Sequence, residues 1–226
     1  MKYENVEKGI FISRPNRFIA NVEICGREER VHVKNTGRCR ELLPEGAEVY
    51  LSHSCKSTRK TTYDLVAVKK GNRIINMDSQ APNKAFYEWA VEGNFIDSPD
   101  LIKPEFKWGN SRFDFYIEKG DRRCLVEVKG VTLEFDGKCY FPDAPTERGV
   151  KHLMELTAAL ESGYDTYIIF IVQMKDVMFL SPNDDTHPAF GEALRLAQNR
   201  GVNILAYDCY VEPGIMEIRD KIPVKL

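Results

Sequence analysis

The stretch 111-SRFDFYIEKGDRRCLVEVKGVTLEF-135 decides how this chain is read. Two runs rich in Phe, Tyr, Ile, Leu and Val flank Gly120-Asp121, a dipeptide suited to a two-residue hairpin turn. A turn there makes Glu118 face Arg123, Tyr116 face Leu125 and Asp114 face Glu127. Directly opposed Cβ atoms lie about 5 Å apart, and like charges at that spacing destabilise a sheet. A divalent cation between the two carboxylates would remove the conflict, and Mg2+ rarely needs a full protein cage. Lys129 lies two residues beyond Glu127 and so projects from the same face. Two acids and an ammonium can hold a cation, lower the pKa of its water and stabilise charge on a phosphate. The competing reading is a half-buried strand whose VEVK alternation merely wets one face.

Outward from the hairpin, strands and helices alternate. Upstream, 83-NKAFYEWAVEG-93 predicts a helix with Asn83 as N-cap and Gly93 closing it. Glu88 lies on this helix, facing either the acids or solvent. Downstream, FDGKCYFPDAP predicts a third strand ending at Pro142, and 146-TERGVKHLMELTAALESG-163 a helix capped by Thr146. Arg148, Lys151, His152 and Glu155 share one side of its first turns. They suit a phosphate contact or a solvated polar face. Tyr167–Val172 and Val202–Tyr207 read as buried strands around a helix at Pro188–Arg200. This order predicts an α/β (α+β) domain with a mixed sheet covered by helices over residues 81–226.

Residues 1–80 have a different grain. Short β-patterns at Gly9–Ser13, Arg17–Ile24, Arg30–Lys34, Val49–His53, Tyr63–Lys69 and Arg73–Asn76 surround GRCRELLPEG, which reads as one short helix. That predicts a small OB-like β-barrel. The break falls at 78-DSQAPN-83.

Net charge is −2, but residues 1–80 carry 15 Lys/Arg against 10 Asp/Glu and the remainder 17 against 24. The asymmetry suggests different partners for the two halves. No apolar run approaches the ~20 residues of a membrane helix. The start, MKYENVEKGI, lacks the apolar core of a secretory signal. A soluble cytoplasmic protein without membrane contact is expected. Six scattered cysteines without a CxxC pair read as reduced thiols, and His32, Cys39, His53 and Cys55 fit no standard zinc spacing.

Asp114 followed by Glu127-Val128-Lys129 resembles the PD-(D/E)xK signature of restriction-endonuclease-like nucleases. The longer strings SRFDF, VEVKGVTL, FPDAPTERGVKHLMEL, HVKNTGRCRELLPEG, RPNRFIANV and SQAPN resemble the sugar fermentation stimulation protein (SfsA) family over nearly the whole chain. The resemblance implies an N-terminal OB-like domain and a C-terminal αβββαβ nuclease-like domain. It implies Asp114 and Glu127 as ligands of Mg2+ or Mn2+, Lys129 as the catalytic lysine and Glu88 as a supporting acid. It also implies DNA binding and a link to the regulation of sugar (maltose) utilisation.

A barrel of this kind holds nucleic acid with basic side chains along the backbone and aromatics under the bases. Arg14, Arg17, Lys34, Arg38, Arg40, Lys56, Arg59 and Lys60 are its basic candidates. Phe11, Phe18 and Tyr63 are the aromatics, unless they fill the core. In the predicted register Arg112 opposes Lys129 and adds a positive charge beside the acids. DNA is the expected partner, with RNA as the alternative and the oligomeric state open, a homodimer included. Three functions follow: a metal-dependent nuclease, a non-catalytic DNA-binding regulator of sugar genes, or an interaction module reusing the fold. No helix-turn-helix is evident for the second, and the third leaves the acid-acid-lysine set unexplained.

Overall fold

The structure, a computed structural model, describes residues 1–35, 37, 39–54 and 61–226. Five strands close a barrel: β1 (Val6–Asn16), β2 (Ile19–Ile24), β3 (Arg27–Val33), β4 (Glu48–His53) and β5 (Tyr63–Lys70). The ring runs β1-β2-β3-β5-β4 and back to β1, the OB order, with β3 and β5 parallel and β6 (Arg73–Asn76) added beside β5. Alternation in β2 sends Ala20, Val22 and Ile24 inward to meet Val31, Leu51 and Leu65. The wall closes tightly at Gly9, where a Cβ would lie 2.5 Å from a Val22 methyl.

The predicted helix at GRCRELLPEG does not form. Among its described residues there are turns, in which Leu42 and Leu43 both donate to the Cys39 carbonyl at 3.2 Å. Cys39 takes a left-handed φ of +44°, which a helix cannot use, and Pro44 follows. Burial of Leu42 and Leu43 still anchors the segment in the barrel core.

The chain leaves the barrel at Asn76 and enters α1 (Ala81–Val91). A mixed sheet follows, ordered β15 (Ile215–Lys221), β14 (Asn203–Glu212), β12 (Asp165–Val172), β9 (Arg122–Val131), β8 (Ser111–Lys119) and β7 (Leu101–Trp108). β9, β12 and β14 are parallel and the outer strands antiparallel. Phe86 and Ala90 of α1 pack on Phe115, Val126 and Ile169. On the opposite face, α2 (Glu147–Glu161) and α3 (Pro188–Arg200) set Leu153, Leu156, Phe190 and Leu194 against Ile168 and Phe170. The predicted third strand forms as β11 (Lys138–Phe141), but in a separate small sheet with β10 (Glu134–Phe135) and β13 (Phe179–Pro182). Sequence reading passed over β7, whose Pro104 and alternating charges suit an edge strand, and over β13 and β15.

Gln173 joins the two halves. Its buried amide donates to the Asn76 carbonyl at 3.1 Å, the Asn76 Oδ1 at 2.9 Å and the Asp78 carbonyl at 3.1 Å. Lys70 and Arg73 of the barrel reach the buried Glu134 at 2.8 and 2.9 Å. Among the described residues no helix is long and apolar enough to cross a membrane.

Candidate active site

The hairpin register is as the turn dictates from Lys119↔Arg122 to Phe115↔Val126, and the ladder then stops. On its other side β8 pairs Pro104↔Phe115 and Phe106↔Phe113, so Glu105 passes Asp114 with a left-handed φ of +54°. Phe113 packs with the α2–α3 core and Phe115 with the α1 core, though residues two apart in a regular strand share a face. Asp114 therefore sits at a break in the strand's alternation, where the β8–β9 ladder has ended.

Two fixed donors hold the Asp114 carboxylate. Asn83 Nδ2 donates to Oδ1 at 2.7 Å, and the Val128 N–H donates to Oδ2 at 2.8 Å. Asn83 is thus not the helix cap. Gln80 occupies that position, Pro82 opens the helix, and the Asn83 amide is free to reach the site. Burial, with help from the Glu127 charge, pushes the Asp114 carboxyl up to about 6.

Glu127 is 2% exposed. Its Oε1 accepts from Lys129 Nζ at 2.6 Å and from His152 Nδ1. Burial alone would raise its pKa, but His152 and Lys129 outweigh that and hold it low. Arg148 Nε donates to His152 Nε2 at 3.3 Å. The neutral tautomer with its proton on Nδ1 satisfies both contacts. The edge of Phe113 packs against the ring at 6.0 Å. The second oxygen, Glu127 Oε2, is buried with no hydrogen-bond partner.

Such an orphaned oxygen, on a carboxylate whose charge bears on Asp114, has the chemistry of a cation ligand. Among the described residues no three or more His, Cys, Asp and Glu side chains form a ready cage. Two carboxylates instead fit a hard cation that keeps most of its waters, as Mg2+ does.

The 80–214 segment matches the model described as the sugar fermentation stimulation protein RE domain, and 12–77 the SfsA N-terminal OB domain. The chain belongs to the SfsA family. It is 58% identical to a sugar fermentation stimulation protein homolog of Desulfitobacterium hafniense strain Y51, covering 100% of this chain and 99% of that one. The homolog of Ruminiclostridium cellulolyticum is 55% identical over the full length of both. The fold is similar to the solved structure of Pyrococcus furiosus SfsA in complex with Ca2+, with TM-score 0.91, 30% identity, and coverage of 100% of this chain and 98% of that one.

The other predicted residues of this SfsA-family chain are distributed as follows. Glu88 is not brought to the acids. Its carboxylate pairs with the Met1 ammonium at 2.9 Å. His152 is neither an open phosphate contact nor part of a solvated face: it is 3% exposed and bonded to Glu127. Arg112 does not oppose Lys129. It pairs with Lys107 across β7 and forms an exposed ion pair with Glu105 at 3.1 Å. Lys151 reaches the Asn110 carbonyl at 3.1 Å. Lys34 is taken up by the buried Asp78. Arg14 donates to the carbonyls of Arg17, Asn35 and Gly37 at 2.8, 2.6 and 2.9 Å. Arg17 and Arg40 are exposed. Lys56, Arg38, Arg59 and Lys60 lie outside the described residues, as does Cys55. Beyond its polarity in a first helical turn, nothing local marks Asn83 as a site residue.

The raised Asp114 pKa makes a stability prediction for the metal-free protein. Its folded pKa exceeds the unfolded one, so stability is fully present below about pH 4 and is lost as pH rises through about 6. Asp114→Asn should therefore raise the melting temperature by several degrees at pH 7 in EDTA, from about 3 kcal/mol relieved, with the gain vanishing near pH 4. Equal melting of both proteins at pH 7 would show that this carboxylate is not a buried repulsive charge.

Proposed function

We propose that this SfsA-family chain is a Mg2+- or Mn2+-dependent nuclease that hydrolyses phosphodiester bonds, with DNA as its first expected substrate. One observation carries the reading. Glu127 is held ionised through one oxygen by Lys129 and His152, its other oxygen is buried without a hydrogen-bond partner, and its charge is felt by Asp114.

Asp114 and Glu127 would hold the cation. When bound, it supplies charge neutralisation at the phosphate and a water of lowered pKa. Asn83 and the Val128 N–H fix the Asp114 carboxylate before metal arrives. His152, seated by Arg148 and Phe113, fixes Glu127. Lys129 keeps its ammonium at the same carboxylate, where it can donate to a phosphate oxygen entering the site. The Ca2+ in the P. furiosus SfsA structure supports a divalent-cation site in the family.

The test is incubation of purified protein with single- and double-stranded DNA and RNA in Mg2+, Mn2+, Ca2+ and EDTA. Cleavage in Mg2+ or Mn2+ that disappears in EDTA and in Lys129→Ala is the expected result. Salt-dependent DNA binding without cleavage in any metal would instead assign the chain to the non-catalytic regulator class.

A further inference from the structure

A cleft of about 360 Å3 opens between the barrel and the mixed sheet, lined among others by Asn35, Ser79, Gly130, Thr132, Tyr140 and Gln173. It lies at the carboxyl ends of the parallel pair β9 and β12, whose last register is Val172↔Val131. Open α/β sheets bind ligands at that end, and domain boundaries are favoured pocket sites. Its floor includes Gly130, the residue after Lys129. A Cβ there would come within 2.5 Å of Gln173 Oε1 and 2.7 Å of Pro82 Cγ.

The chemistry of the lining is selective. Amides, hydroxyls and the rings of Tyr140, Phe141 and Pro142 surround it, and among the described residues the charged side chain in the lining is Asp143, a carboxylate. Those described groups suit a flat ring with hydrogen-bonding edges. Lys129, which precedes Gly130 on β9, turns its ammonium to Glu127 and is not part of this lining.

A second feature continues the same line across the barrel. Asn16 Oδ1 accepts from the N–H groups of Phe18 at 2.9 Å and Ile19 at 3.1 Å, which fixes the β1–β2 turn. The turn presents Phe18, 50% exposed, with the Arg17 guanidinium 5.6 Å from the ring centre. Phe11 is buried, so the exposed ring is not needed for the core. Arg14 ties this turn to the carbonyls of Asn35 and Gly37, and a Cβ on Gly37 would meet Asp143 at 2.8 Å. The exposed aromatic with its arginine is thus tied through Arg14 to Asn35 and Gly37, two residues that line the cleft.

We infer that the cleft is a nucleobase site for single-stranded nucleic acid, with Phe18 as an outer stacking platform. The inference deepens the nuclease reading and rests on nucleic acid being the ligand of the site. A paired duplex keeps its bases stacked inside and cannot present one to the cleft, whereas stacking on Phe18 serves any base of a single strand.

The test is fluorescence anisotropy of a labelled single-stranded oligothymidylate and of a duplex of equal length, in Ca2+, with wild type, Phe18→Ala and the cleft-filling Ala144→Trp. Melting curves establish that each variant is folded. Each variant is expected to weaken single-strand binding about tenfold, with the duplex unaffected. Wild-type-like binding by either folded variant, equal loss on the duplex, or no single-strand binding by the wild type overturns the inference. Metal-dependent cleavage lost in Asp114→Ala, with Phe18→Ala and Ala144→Trp binding normally, removes the cleft and keeps the nuclease reading. Single-strand binding that needs Phe18 and Ala144, without cleavage in any metal, does the reverse.

Discussion

Glu127→Gln is expected to lower metal-dependent cleavage about a thousandfold while leaving a folded protein. The substitution keeps the shape of the side chain and an oxygen for His152. It removes the charge that Lys129 and His152 hold in place and that a cation would need. Removing a single preorganised electrostatic contact commonly costs about a hundred- to a thousandfold, and here the seat of the metal is lost with it. The same variant should bind Mg2+ or Ca2+ far more weakly, measured by calorimetry or by the metal-induced rise in melting temperature. That readout separates loss of the seat from loss of chemistry. A Glu127→Gln protein that cleaves at the wild-type rate, with contaminating nucleases excluded, would remove Glu127 from the site.

The second large effect concerns the joint and not the chemistry. Gln173→Leu should destabilise the whole chain by about 3 kcal/mol, a melting shift of roughly ten degrees for a protein of this size. Leu matches the volume but withdraws an amide that serves the Asn76 carbonyl, the Asn76 Oδ1 and the Asp78 carbonyl, all at the crossing between barrel and sheet. Buried acceptors left without donors carry most of that cost. The Asn76 N–H bond to the Gln173 carbonyl, at 2.9 Å, survives, so the joint loosens and does not fall apart. Gln173 also packs over Gly130 beside Lys129, so activity at low temperature should fall as well. Denaturant melts of the wild type and the variant decide the matter. A change below about 1 kcal/mol would mean that water replaces the amide at little cost.

Particular residues show how far the sequence could be read. Gly120-Asp121 fixes the hairpin because a two-residue turn leaves one register, and five ladder pairs obey it. Hydrophobic alternation and turn chemistry are local, so the barrel strands and α2 with its Thr146 cap are legible. The Thr146 hydroxyl accepts from the Gly149 N–H at 3.1 Å, as the sequence predicts. Asp114, Glu127 and Lys129 were legible as a cluster because they lie on one hairpin.

Reading failed where a distant segment competes for a group. A regular hairpin would have placed Asp114 squarely opposite Glu127 and Arg112 opposite Lys129. Instead Asp114 captures the Val128 N–H, Glu105 turns left-handed, and the ladder opens at that point. Asn83, His152 and Glu88 lie on helices, where local spacing gives a face but not the strand it meets. Packing of α1 brings Asn83 to the acids and leaves Glu88 at the Met1 ammonium, while packing of α2 buries His152 against Glu127. By itself the sequence determined a closed barrel, a helix-covered mixed sheet and an acid-acid-lysine hairpin, since each follows from periodicity and turns within a few residues. Only the tertiary structure decided which oxygen of Glu127 is free, because that depends on how His152, 25 residues away on α2, joins Lys129 at the other oxygen.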